Sequence, residues 1–283
     1  MIPIKDNIPT SRFPVLTVLL IALNIVVFGW QLHFSSSQAS NQAFRQLRIS
    51  EQDQSTLEYG AIPYRLTHPG ENCAAGITNP NAPQAEVVCQ GTRQYAKARQ
   101  LSVVGGAPFA PLDSPPWWVT LFTSMFMHGG ILHIAFNMLF LWIFGNNVED
   151  SMGRPRYLLF YLLAGIVAAY AQSLLSINST QPAIGASGAI AGVLGGYLLL
   201  FPRARVLTVV IIIFFVTLIE IPAVIMLGIW FALQFLPAVG QIGTDAVSGG
   251  GVAYWAHVGG FAFGLAAIKL FANRYRPVGA GYA

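Results

Sequence analysis

The sequence predicts an all-α polytopic membrane protein: a bundle of six transmembrane helices with a long external loop between the first and second. Three observations lead there. The 283-residue chain is 54% hydrophobic and only 9% charged, far too apolar for a soluble fold of this size. Its apolar residues gather into six segments, each near the ~20 residues needed to cross a hydrocarbon layer. Basic residues stand beside alternate connections between those segments, as the bias of positive charge toward the cytoplasmic side requires. That placement accounts for a pI of about 9.2 by orientation in a lipid bilayer. No basic stripe with interleaved aromatics is present, so no nucleic-acid partner is expected.

The first segment, Phe13–Leu32, follows Lys5 and Arg12 and is too long, and too poorly followed by small residues, for a removed signal peptide. Residues 1–33 are therefore expected to form a cytoplasmic N-terminus and first helix. Residues 34–116 are polar and rich in Gln, Asn, Pro and Gly. Long loops translocate largely regardless of charge, so the basic residues here do not oppose an external location. Both cysteines, Cys73 and Cys89, fall in this stretch, on the side where a structural bridge is permitted. A metal or redox pair would be signalled by CxxC spacing, which is missing.

Trp117–Phe144, Tyr157–Leu175 and Ile184–Phe201 supply the second to fourth spans. The fifth segment, Val206–Pro237, is long enough for one tilted crossing plus an interfacial piece, or for two short crossings broken at Glu220-Ile221-Pro222. Charge decides between them. Lys5 and Arg12 precede span one, Arg154 and Arg156 join spans two and three, and Arg203 and Arg205 join four and five. Lys269, Arg274 and Arg276 surround the end of the sixth, Val252–Ala272, whereas the three–four and five–six connections hold no Lys or Arg. A single crossing puts every cluster on the cytoplasmic side, with both termini and the tail 273–283. Glu220 then marks a helix entry before Pro222, with the residues from Val206 lying partly along the inner surface.

Single crossing also gives Ser187 and His257 a common side. Each lies about a turn inside the external end of its span, and polar groups at such depth are costly and usually functional. Serine is a poor nucleophile unless a neighbouring base takes its proton, and histidine suits that task. Gly188, Gly192 and Gly196 recur every four residues, and Gly260 and Gly264 follow His257 on its own face. Small residues at this spacing let two membrane helices approach closely. In the second span, His133 and Asn137 share a helix face, with His128 about a turn and a half earlier. Taken alone, that pair reads as polar packing between helices. Aimed at one point, the two side chains could instead donate hydrogen bonds to an oxyanion.

These residues resemble the rhomboid family of intramembrane serine proteases. The similarity rests on the GxSG box Gly185–Gly188, the HxxGxxxG run His257–Gly264, the HxxxN pair His133/Asn137 with His128 before it, and Gly145-xxx-Glu149-xxx-Gly153. It covers the first span and residues 117–272, the expected catalytic core of a rhomboid-like bundle, and leaves most of the long loop unmatched. The resemblance implies cleavage of transmembrane protein substrates in the cell membrane through a Ser-His dyad and an acyl-enzyme, with no metal or cofactor. Ser187 would be the nucleophile and His257 the base and later acid. Asn137, His133 and the Ser187 backbone N–H would form the oxyanion hole, supported by His128, Gly185, Gly188 and Gly260.

The chain departs from the family in two places. Many members carry an aromatic residue four positions after the serine, stacked on the histidine, where this chain has Ala191; another residue must hold the ring. The Trp-Arg pair of the external loop is incomplete, since Trp117-Trp118 is followed by Val119. Two other functions stay open. A catalytically inactive rhomboid-like binding protein usually loses the serine or histidine, and a secondary transporter would show repeated halves or ion-coordinating acids.

Overall fold

The computed structural model describes residues 2–33, 39, 41–81, 83–212, 215–241 and 252–273. Strand β1 (Ile2–Asp6) and the apolar helix α1 (Val15–His33) open the chain. A small subdomain follows, in the order α2 (Gln42–Gln46), α3 (Glu51–Tyr59), α4 (Pro63–Thr67), β2 (Cys73–Ile77), β3 (Ala85–Cys89), α5 (Arg93–Gly105) and β4 (Phe109–Pro111). Next come α6 (Trp117–Thr123), α7 (Ile131–Met152), α8 (Arg154–Leu175) and α9 (Ser187–Leu200). The hairpin β5 (Arg205–Ile212) and β6 (Phe215–Pro222) then leads to α10 (Ala223–Gly240) and α11 (Tyr254–Phe271).

Four described helices, α1, α7, α8 and α10, are long and apolar enough to cross a membrane. Their outward faces expose large apolar side chains, among them Leu19, Val26, Leu159 and Leu233, as a lipid-facing surface does. Helix α9 has 14 residues, 11 of them buried, and forms the axis of the bundle. Around it Phe144, Tyr157, Phe160, Tyr161 and Leu227 are essentially inaccessible.

Two expectations need correction. The second apolar segment is divided: α6 gives way to a short 3-10 turn, Ser124–Phe126, and α7 begins only at Ile131. Gly129 and Gly130 interrupt the helix, with Gly130 fully extended (φ 169°, ψ 169°), so His128 lies in the turn before α7 and not on its face. The fifth segment is likewise part strand. Its β-branched run (Val206, Thr208, Val209, Val210, Val216, Thr217, Ile219, Ile221) suits a pleated ribbon, and Pro222 bars a helix from extending back through it. β5 lies between β1 and β6, both antiparallel to it, so the chain is mainly helical rather than all-α. Only α10 remains of this segment as a candidate crossing, and Glu220 sits on the exposed hairpin, 3.6 Å from Arg205. Arg274, Arg276 and nearly all of the tail 273–283 lie outside the described residues.

Three polar clusters tie the ends of the helices together. Glu149 accepts hydrogen bonds from the backbone N–H groups of Leu16 (3.0 Å) and Thr17 (2.8 Å) and from the Thr17 hydroxyl (2.8 Å). A carboxylate there satisfies the open donors of the α1 N-terminus and complements its dipole. Asp150 accepts from the Ser11 hydroxyl and N–H. On β1, buried Asp6 accepts from the Tyr197 hydroxyl and the Asn147 amide, each at 2.6 Å, which fixes the strand to α9 and α7.

The subdomain is built on β2, flanked by β3 and β4. Cys73 and Cys89 face each other in the β2–β3 register and form a disulfide. The subdomain also grips the segment that leads into α9. Ala61 and Ala183 exchange both backbone hydrogen bonds (3.1 and 2.9 Å), and the Tyr64 N–H donates to the Ser179 carbonyl (3.0 Å). A side chain at Gly60 would collide with Pro182. The polar region thus bears on the backbone a few residues before Ser187.

Candidate active site

Ser187 is the first residue of α9 and His257 the fourth of α11. Their side chains meet: His257 Nε2 lies 2.7 Å from Ser187 Oγ, hydrogen-bond distance for a hydroxyl and an imidazole. The approach depends on glycine. A Cβ on Gly260 would lie 2.1 Å from the Gly188 carbonyl oxygen, and one on Gly264 would lie 2.0 Å from that of Gly192. Helices α9 and α11 therefore touch backbone to backbone just below the two side chains, as the glycine spacing predicts. The α9 glycines serve two neighbours: Gly196 meets Ile268 of α11, in line with expectation, and others also admit α8. The Cα positions of Gly188 and Gly192 face Ala168 and Ala164 of α8, while Gly195 meets the Phe261 carbonyl of α11.

The turn before the serine is also specific. Gly185 has φ +121°, a conformation that side chains rarely adopt, and its N–H donates to the Ser124 carbonyl (2.8 Å). A Cβ on Gly185 would fall 2.8 Å from His133 Nε2 and 3.6 Å from Ser187 Oγ, so the His133 ring lies beside the serine with only a glycine between. The first N–H groups of α9 have no acceptor within their own helix, leaving donors at the same spot.

His133 packs edge-on against His128, ring centroids 5.0 Å apart, and its Nδ1 accepts from the Gly129 N–H (3.4 Å). His128 is fully buried, and neither of its ring nitrogens has a partner among the described residues. Its backbone N–H donates to Gln31 Oε1 (3.0 Å) on α1. His128 supports His133 and does not itself touch the serine. Asn137 shares the His133 face of α7, is buried, and holds an amide nitrogen with no partner among the described residues. A buried N–H donor without an acceptor is expensive. It marks a place where an acceptor, such as a developing oxyanion, would be stabilised.

Sequence reasoning missed the residues that hold the His257 ring. Gln234 Oε1 lies 2.8 Å from His257 Nδ1, and the Trp230 ring sits 5.9 Å from the imidazole, tilted by 39°. Both come from α10, one turn apart. Ala191 is wholly buried where α9 passes Gly260. The one available signal was Gln234 itself, the sole carboxamide in an otherwise apolar 18-residue helix.

Four apolar helices of membrane-crossing length, with a serine and a histidine hydrogen-bonded between two neighbouring helices, define a class: helical membrane proteins with a Ser-His pair inside the bundle. Residues 115–274, more than half of the chain, match the Rhomboid domain, and the chain belongs to the rhomboid family. It is 40% identical over 129 residues to Rhomboid protease GluP of Bacillus subtilis, covering 45% of this chain and 24% of that protein. To Rhomboid protein 1, mitochondrial, of Saccharomyces cerevisiae it is 30% identical over 151 residues, 52% of this chain and 40% of that one. Inactive rhomboid protein 1 of Drosophila melanogaster is 29% identical over 99 residues, 35% of this chain and 7% of that protein. The chain thus spans less than half the length of each of these relatives, which include a protease and an inactive protein.

Proposed function

We propose that this chain is an intramembrane serine endopeptidase that cleaves transmembrane segments of other membrane proteins. The observation that carries the reading is the 2.7 Å contact between Ser187 Oγ and His257 Nε2, held by helices that pack through glycine. Ser187 attacks the scissile carbonyl while His257 Nε2 takes its proton and passes it to the leaving amine. Water, deprotonated by the same imidazole, then releases the acyl group. Asn137, His133 and the first N–H groups of α9 face the oxyanion. No third acid is required, since the roles of nucleophile, base and oxyanion donor are all filled.

In this reading α1, α7, α8, α9, α10 and α11 are the six spans, both termini are cytoplasmic, and the 34–116 subdomain lies outside the cell membrane. The dyad opens toward that outer side. A substrate helix hides its carbonyls in its own hydrogen bonds, so clients are transmembrane segments with a residue that weakens the helix near the cleavage site. Kinship with an inactive relative makes the test direct. Purified wild-type protein should react with a serine-directed fluorophosphonate and cleave a single-span test substrate. Ser187→Ala and His257→Ala should each lose both activities while expression and membrane insertion persist. Near wild-type cleavage by Ser187→Ala would end this reading.

A further inference from the structure

Gln234 makes a contact that neither the nucleophile nor the oxyanion hole requires. Its Oε1 lies 2.8 Å from Nδ1 of His257, on the far side of the ring from Ser187. Helix α10 otherwise turns apolar groups inward: Ala223, Met226, Leu227 and Ala238 are buried along its inner face. The carboxamide stands alone there, and an isolated polar group at membrane depth is costly unless it is used. Trp230, four residues earlier and hence on the same face, packs beside the same imidazole, its ring 5.9 Å away and tilted by 39°. We infer that Gln234 is a positioning residue for catalysis, a neutral third member that fixes the tautomer of His257, with Trp230 holding the ring plane in place of the aromatic absent at Ala191.

The chemistry follows from the inventory of donors. A neutral imidazole carries one N–H, and which nitrogen holds it is set by the partner of the other. A carbonyl oxygen on Nδ1 accepts and cannot donate, so it places the proton there and leaves Nε2 with a free lone pair directed at Ser187. That is the form able to remove the serine proton. When Nε2 takes the proton, the imidazolium keeps its Nδ1–H bond to Gln234, and the amide neither gains nor loses a proton. In charged triads the carboxylate does the same orienting task, and setting the wrong tautomer costs ~10⁴ in rate. A neutral acceptor stabilises the imidazolium less, and the ring retains its packing on Trp230, so the expected loss is smaller.

The inference rests on the Ser-His reading, and the experiment separates the two. Gln234→Met keeps length and removes the acceptor; Gln234→Glu keeps an acceptor oxygen. The expected result is a kcat lowered about 10- to 100-fold in Gln234→Met with KM within about twofold, and a rate restored to within about fivefold of wild type in Gln234→Glu. Thermal stability of both variants in detergent should match wild type. Nitrogen NMR of histidine-labelled protein supplies a readout independent of turnover: His257, assigned by its loss in His257→Ala, should be protonated at Nδ1 in wild type and not uniformly so in Gln234→Met. Unchanged kcat in Gln234→Met, an equal loss in both variants, or an unaltered Nδ1 signal would each return Gln234 to a packing role. Those outcomes leave the dyad standing. If Ser187→Ala still cleaves, the dyad falls, and the tautomer measurement, which needs no substrate, still judges Gln234.

Discussion

Replacing Gly260 by alanine tests how far the dyad depends on backbone contact between α9 and α11. The added Cβ would sit 2.1 Å from the Gly188 carbonyl oxygen and 3.1 Å from its carbon. A carbon and a carbonyl oxygen come no closer than ~3.3 Å without repulsion, so the helices must separate by about 1.2 Å at that level. Backbone cannot step aside as a flexible side chain can. Gly260 lies one turn below His257, and Gly188 adjoins Ser187, so the displacement reaches the pair directly. Taken wholly along the hydrogen bond, it lengthens the 2.7 Å contact to about 3.9 Å, outside hydrogen-bond range. Misplacement of reacting groups by ~1 Å costs on the order of 10²-fold in rate. The assay is the initial rate of cleavage of a single-span substrate, with fluorophosphonate labelling read in parallel. Gly228→Ala on α10 is the control, because nothing lies within 4 Å of its added methyl; it should keep full activity. Thermal unfolding in detergent shows whether Gly260→Ala remains folded. A folded Gly260→Ala enzyme with wild-type cleavage and labelling would refute the claim that this contact sets the dyad distance.

Further outcomes are expected elsewhere. Asn137→Ala should lower the rate by about 10²-fold or less, because His133 and backbone N–H groups remain as donors; unchanged turnover after changing both His133 and Asn137 would reduce the pair to packing. Burial pushes the Asp6 carboxyl up to about 6 from 3.8, against the opposing hydrogen bond from Tyr197. The folded state then holds that proton more tightly than the unfolded one, so the stabilising contribution is complete below about pH 4 and is lost as pH rises through about 6. Asp6→Asn should flatten this part of a melting-temperature profile, and an unaltered slope would show that another group carries it. For topology, single cysteines in a Cys73→Ser/Cys89→Ser background should react from outside at Asp245, which lies outside the described residues, and from inside at Arg203. The reverse pattern at either position would place Ser187 and His257 away from a common outer face.

The sequence by itself determined the family of the molecule and singled out Ser187 and His257, which the structure brings within 2.7 Å of each other. Apolar runs broken by basic clusters are a one-dimensional signal, because each stretch must satisfy the bilayer over its own length. Glycines at intervals of three and four are also local: Gly260 and Gly264 share a face with His257 through helix geometry alone, and the observed backbone contact follows. Tertiary structure decided what depends on partners remote in sequence. The β-branched run from Val206 reads as apolar enough for a membrane helix, and its pairing in three dimensions, with β6 beside it and with β1 some 200 residues away, reveals it as a strand. His128 reads as helical until the glycines after it are seen to end the turn. Gln234 carries no motif, and its purpose appears only once α10 packs its inner face on α11 and brings the carboxamide to Nδ1 of His257. A hydrogen bond is short and directional, whereas sequence spacing fixes only which face a residue occupies, so the choice of partner for that ring belonged to the fold.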